Sequence, residues 1–283
     1  MEYLMTYGWA ILIIAVVLGA LFQLGVFNSS SFSPRAPPGA CQVFRPNGPG
    51  TVTNINLMGV CTGQLPQYAA QFNGANSYVN VGNGASFNVV NAITISTWIE
   101  LNQLGVDQYP VAKQYGVNAF GTSVTPYILR VSSTNTIWWG SYDGSWQRAV
   151  GTMALQQNSW YHVVGIYDKT LASDNFKIYI NGVLDKTYSY ALGLPTNNQN
   201  VLIGRYITGG GWFNGLISNI QVYNASLSAN EIQALYIEGM GGAPLLLQNL
   251  VGWWPLNGNS NEYSGNNNNG VPTAVSFTSQ YGK

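Results

Sequence analysis

Beyond Gln67 the chain breaks into short apolar–polar alternations separated by Gly, Asn and Asp, and this pattern limits the possible folds more than any other feature. Ala92 to Glu100, AITISTWIE, sets Ile93, Ile95 and Ile99 on one face against Thr94, Ser96 and Trp98 on the other. Trp160 to Tyr167, WYHVVGIY, is a largely apolar run of the kind buried on both faces. Phe176 to Leu184 reads as a hairpin, with Asn181-Gly182 supplying a turn at positive φ. Val201 to Gly204 and Leu216 to Tyr223 add two further strands. One later segment reads as a helix, opening on the capping box Ser228 and Glu231 and stopping near Gly239. Many short strands with one short helix define an all-β sandwich or jelly roll.

The chain before that region has a different character. Tyr3 to Phe27 contains no charged residue, and about 25 helical residues would reach roughly 37 Å, enough to cross a bilayer. The fold class expected is therefore mainly β, with a long N-terminal apolar α-helix (1–27) followed by a jelly roll. Glu2 stands directly before the apolar run, where a carboxylate suits a helix N-terminus. Gly8, Gly19 and Gly25 offer points of close approach between helices, and Trp9 lies in the same block. The plainest reading of such a segment is a membrane anchor carrying an outside domain. From 28 to 40 the composition turns to Ser and Pro, which deny helix continuation and make a semi-rigid linker.

Cys41 and Cys61 flank a polar loop at the start of the outer region, 41–283. A zinc site lacks further ligands, since the chain has one histidine, His162. A disulfide closing a lead-in segment, 41–67, is expected instead, in an oxidising extracellular setting. Asn28 and Asn224 each begin an N-glycosylation triplet.

Only 7% of residues are charged and the net charge is zero, so no basic patch exists to hold nucleic acid. Paired carboxylates of the glycosidase kind are absent from any one strand. Asp107, Asp143, Asp168, Asp174 and Asp185 read as turn acids, and His162 as a packed strand residue. No enzyme is expected, and no cofactor. Trp138, Trp139, Trp146 and Trp212 sit in Gly- and Ser-rich surroundings and are candidates for stacking on sugar rings.

Two family resemblances attach to these residues. MEYLMTYGWAILII, with Glu2, Tyr3, Met5, Thr6, Tyr7, Gly8 and Trp9 in one block, resembles the opening of archaeal type IV pilin-like proteins. That resemblance implies a basic leader ahead of the block, a precursor held in the inner membrane, and assembly into an extracellular filament. The partners implied are further copies of the chain, as a helical homopolymer, and the membrane before assembly. Glu2 would then compensate the N-terminal amine of a neighbouring subunit. The expected function is a structural subunit of a pilus-like filament, with the sandwich displayed outside and cell-surface glycans as a further partner. The alternative is a membrane-anchored, lectin-like cell-surface protein.

The second resemblance covers residues 68–239. Gln71-Phe72-Asn73-Gly74 with Ser77-Tyr78-Val79, then WYHVVGIYD with KIYINGVL, then GLISNIQVYNASLSANEIQALY, resemble in order the laminin-G-like, concanavalin-type jelly rolls. Such domains often bind calcium and sugar. The positions resembling the family's acidic ones are Asn73, Asn76 and Asn219, whose amides lack the charge that makes a calcium site strong. Leu250 to Gly270 resembles the segment that precedes the Phe-Asn-Gly strand in that family, yet here it follows the helix. A circularly permuted jelly roll is expected, with 250–283 supplying the relocated strand. Donation of that strand to a neighbouring subunit and a truncated second repeat are the other readings.

Overall fold

A computed structural model describes residues 66–207 and 210–279, together with a helical turn at 13–17 and the backbone of two strands at 41–44 and 52–55. The chain divides into two units, Met1–Gln42 with Asn54–Cys61, and Val43–Thr53 with Thr62–Lys283. Strands β1 (Cys41–Phe44) and β2 (Val52–Ile55) pair only with one another.

The larger unit is built from β3 (Ala69–Asn73), β4 (Tyr78–Asn80), β5 (Ala92–Leu101), β6 (Gln108–Lys113) and β7 (Gly116–Val117). There follow β8 (Ser123–Val131), β9 (Thr136–Tyr142), β10 (Trp146–Ala154), β11 (Trp160–Asp168), β12 (Phe176–Ile180) and β13 (Val183–Tyr188). The chain continues through β14 (Val201–Ile203), β15 (Arg205–Ile207), β16 (Gly210–Trp212), β17 (Asn214–Tyr223) and the helix α1 (Ala229–Glu238). It closes with β18 (Leu250–Trp254), β19 (Val271–Thr273) and β20 (Ser276–Thr278). The front sheet runs β10-β9-β8-β6-β14-β4-β19, with β7 on β8. The back sheet runs β13-β12-β11-β5-β17-β3-β20, with β18 on β17. This is a jelly-roll sandwich.

The alternation read from the sequence assigns the faces. Ile93, Ile95, Ile99 and Leu101 of β5 point into the core with Val163 and Tyr167 of β11, against Leu129 and Trp139 of the front sheet. Trp139 fits because Gly165 has no side chain: a Cβ there would collide with the indole. The indole Nε1 then donates to the Ile166 carbonyl at 2.7 Å, so this large ring is buried with its polar atom satisfied. The β12–β13 turn has Asn181 at φ 52° and Gly182 at φ 78°, the expected left-handed pair.

The outer face of the back sheet is covered. Thr94 Oγ1 donates to Ala225 O at 2.7 Å and accepts from Leu227 N at 3.1 Å, which ties β5 to the segment entering α1. The capping box forms as expected: Ser228 N donates to Glu231 Oε2 at 2.7 Å, and Glu231 N donates to Ser228 Oγ at 3.3 Å. Ile232 and Leu235 of α1 pack on Val164, Ile166 and Tyr223 of the sheet. Trp98, Trp160 and Met240 form an adjoining cluster beneath Tyr236.

The C-terminal segment pairs within its own chain. Trp254 and Gly252 of β18 lie opposite Ile220 and Val222 of β17. β19 forms the edge of the front sheet on β4, and β20 the edge of the back sheet on β3. Pro272 stands in β19, where an edge position tolerates its missing N–H. At the opposite edge, Asp185 of β13 accepts from Thr152 N at 2.9 Å and Met153 N at 3.2 Å of β10. That carboxylate occupies donors that a passing strand would need.

The fold class expected from the sequence requires one correction. Among the described residues no helix is long and apolar enough to cross a membrane. Residues 13–17 form a short helical turn, and Ile13, Ile14, Val16 and Val17 are each at least half exposed. An apolar run records hydrophobicity, not helix length. Isoleucine and valine are only middling helix formers, so apolarity alone does not carry a helix through the whole run. The long N-terminal helix is therefore withdrawn from the fold class. The proposed assembly residues Glu2, Gly8, Trp9 and Gly19 lie outside the described residues, as do Cys61 of the expected disulfide with Cys41 and the linker 28–40 with Asn28.

Candidate functional site

The outer face of the front sheet is where aromatic rings meet solvent. On β9 the two-residue period places Trp138, Gly140 and Tyr142 outward, while Ile137 and Trp139 point into the core. On the neighbouring β10, Trp146 and Arg148 share that outward face, since Trp146 lies opposite Tyr142 and Arg148 opposite Gly140. Tyr115, Tyr142, Trp146, Tyr206 and Ile207 line an open cleft of about 380 Å³. Its walls are largely ring faces. Tyr142 and Trp146 have centroids 5.2 Å apart, and Tyr115 and Tyr142 6.4 Å apart.

The cleft floor is fixed from below. Tyr206 packs with Ala112, Ile128 and Tyr109 in a small cluster on the sheet. Its ring stacks on Tyr109 at 5.0 Å, and its hydroxyl bonds Thr125 Oγ1 at 2.5 Å. Burial pushes the Tyr206 phenol up from its ordinary value, so it stays a neutral hydroxyl at physiological pH. Trp146 is 37% exposed, the right condition for a ring that offers one face to a ligand. Rigid aromatic walls with a few hydroxyls suit a polyhydroxylated ring, whose C–H face stacks while its edges hydrogen-bond.

Beside the cleft lies a cationic strip. The guanidinium of Arg148 lies 4.2 Å from the centre of the Trp138 ring, and that of Arg130 lies 4.0 Å from it. Arg130 is paired with Asp107, which also accepts from Ser133 N. A separate cluster holds Arg205 over Tyr78 at 4.8 Å and over Trp212 at 4.4 Å.

Of the four tryptophans proposed for stacking, then, only Trp146 lines the cleft. Trp138 carries two guanidiniums, Trp212 one, and Trp139 is wholly buried in the core. Trp139 was misassigned because adjacent strand residues point to opposite sides, so Trp138 and Trp139 cannot share a face. Tyr115, Tyr142 and Tyr206 went unread, as did Arg148. The spacing of Tyr142 from Trp138, and of Arg148 from Trp146, was the available signal.

The calcium candidates separate. Asn73 Oδ1 accepts from the backbone of Ala75, Asn76 and Ser77, and its Nδ2 donates to Asn76 Oδ1 at 2.7 Å, closing their own loop. Asn219 Nδ2 donates to Gly242 O at 2.8 Å, and its Oδ1 accepts from Trp253 Nε1 at 2.8 Å. Their amide oxygens are thus committed to protein donors. Among the described residues no group of three or more His, Cys, Asp or Glu side chains gathers to hold a metal.

The acids have structural partners. Asp168 accepts from Thr170, Asp174 from Thr187, and Asp143 from Tyr190 and Ser145. Asp185 corrects its reading as a turn acid, because it lies on β13 and bridges to β10. His162 lies beneath α1: its Nε2 bonds Ser96 Oγ at 2.8 Å, and its ring packs in a cluster with Trp98 and Tyr236. Burial drops its pKa to about 3, so it is a neutral, packed ring. Asn224, the second glycosylation candidate, is exposed, with its amide oxygen accepting from Asn249.

A sandwich of this strand order is a concanavalin-type jelly roll. Residues 73–233, more than half of the chain, match the concanavalin A-like lectin/glucanases superfamily, and the chain belongs to it. No curated protein matches. Among solved structures, a Bacteroides ovatus protein provisionally described as carbohydrate binding is 18% identical with a TM-score of 0.59. The match covers 82% of this chain and 64% of that one. The CBM40 of Ruminococcus gnavus IT-sialidase, bound to α2,3-sialyllactose, is 17% identical with a TM-score of 0.49, covering 61% of this chain and 98% of that one. Domain 4 of AbnA, an arabinanase of Geobacillus stearothermophilus, in complex with arabinotriose, is 17% identical with a TM-score of 0.45, covering 61% and 81%. At these identities the likeness establishes the fold alone.

Proposed function

We propose that this protein is a carbohydrate-binding, lectin-like module of the cell surface or extracellular space, and that a sugar ring stacks in the Tyr115–Tyr142–Trp146–Tyr206 cleft. The observation that carries the reading is the open aromatic cleft on a sheet face that no helix covers among the described residues. Membership of the superfamily supports it, and the B. ovatus protein of similar fold is described in the same terms. The role is binding rather than catalysis: the aromatic walls hold a ligand, and the acids near them are engaged in closing turns and edges. The filament-subunit expectation rests on residues outside the described set and gains nothing from the sandwich.

The test is a glycan array probed with the full-length chain, beside the variant Trp146→Ala. Retention of a defined set of glycans by the wild type, lost in the variant, is the expected result. Retention unchanged by the substitution, or no retention of any glycan, would overturn it.

A further inference from the structure

The cleft does not end at Trp146. Two residues along β10, on the same outward face, stands Arg148, and the residue opposite it on β9 is Gly140. A Cβ at Gly140 would collide with the Gln147 carbonyl and the Arg148 backbone, so this position stays bare. The outward row of β9 therefore carries no side chain between Tyr142 and Trp138, where Arg148 stands beside it.

That guanidinium is unusual for its lack of partners. Among the described residues Arg130 has a carboxylate, Asp107, but Arg148 has neither a carboxylate nor a hydrogen-bond acceptor, and its Nε is buried unbonded. Among the described residues its one contact of note is the Trp138 ring, over which the guanidinium packs. A buried donor without an acceptor is costly, and a planar fork of N–H groups matches an oxyanion better than water does. Asp143, in the β9–β10 turn, is engaged away from the outward face by Tyr190, whose hydroxyl donates to it at 2.6 Å.

We infer that the preferred ligand is an acidic glycan, whose ring stacks on Trp146 and Tyr142 and whose carboxylate or sulfate is received by Arg148. This rests on the glycan reading of the cleft and adds to it the charge of the ligand and its orientation. The anionic group lies toward Arg148. A guanidinium–oxyanion pair carries part of its energy as charge, so binding is weakened by salt in a way that pure ring stacking is not.

The experiment compares neutral, carboxylate-bearing and sulfated oligosaccharides of matched length against the full-length chain by calorimetry, at low and high salt. Acidic members are expected to bind at least about tenfold more tightly than neutral ones, the scale of one charged hydrogen-bonded pair. The preference is expected to vanish in Arg148→Gln and to shrink as salt rises. Carboxylates against sulfates identifies which anion is received. Arg148→Lys guards against a folding defect, because it restores charge without the planar fork and is expected to recover part of the preference. Equal binding of neutral and acidic sugars, insensitive to salt and to Arg148→Gln, would overturn the inference and leave the glycan reading standing. Absence of binding to every sugar would overturn both.

Discussion

The two outer faces of this sandwich start from the same two-residue alternation and end differently. On the back sheet the outward residues of β5, Thr94, Ser96 and Trp98, are all buried beneath α1 and its flanking segments. On the front sheet the outward residues Tyr142, Trp146, Trp138 and Arg148 stay half-buried or exposed among the described residues, with the β15 residue Tyr206 packed beside them on Ala112, Ile128 and Tyr109. A face that is covered uses its polar groups to dock the cover; a face that is left open and still carries large rings is available to a ligand. His162 and Trp146 illustrate the contrast. His162 is a packing group, as its strand position suggests, whereas Trp146 lines the open cleft.

The comparison breaks first at Trp98. Trp98→Ala would leave a cavity under α1 and is expected to cost about 3–5 kcal/mol of stability, measured by chemical denaturation. A loss below about 1 kcal/mol would mean that the back face is not truly closed.

Acid supplies the next test. With its pKa near 3 in the folded protein and near 6.5 when unfolded, His162 binds its proton only on unfolding between those values. Its contribution is complete above about pH 6.5 and falls by about 1.4 kcal/mol per pH unit as pH drops toward 3. His162→Gln should flatten that part of the stability–pH curve; an unchanged slope would contradict the buried, neutral imidazole.

Ser228→Ala removes the cap of α1 and should cost about 1 kcal/mol, read as a lowered melting temperature. The smallest stability effect belongs to the open face: Trp146→Ala is expected to change folding stability by less than about 1 kcal/mol. A larger loss would make that ring part of the core.

Much of this architecture is legible in the residues. The Ile93–Ile95–Ile99 face, the Asn181-Gly182 turn and the Ser228–Glu231 box each have a local cause, so the sequence alone places them. The jelly roll follows from their order. The cleft does not, because it joins residues from β9, β10, β15 and the stretch before β7, and nothing local says which sheet face a helix will cover. The assignment of Trp139 to the surface failed on that point, with the solution one residue away in Trp138. The N-terminal apolar run taught the opposite lesson. Its composition was the loudest signal in the chain, but composition states neither where a helix ends nor what packs against it.

The central claim is that the open front face is a sugar-binding surface, separable from the fold that presents it. Titration of the full-length chain with the best array ligand, wild type against Trp146→Ala, tests it most directly when melting curves are recorded on the same samples. The account predicts that binding is lost while the melting temperature moves by no more than a few degrees. Undiminished binding by a folded Trp146→Ala protein would contradict it.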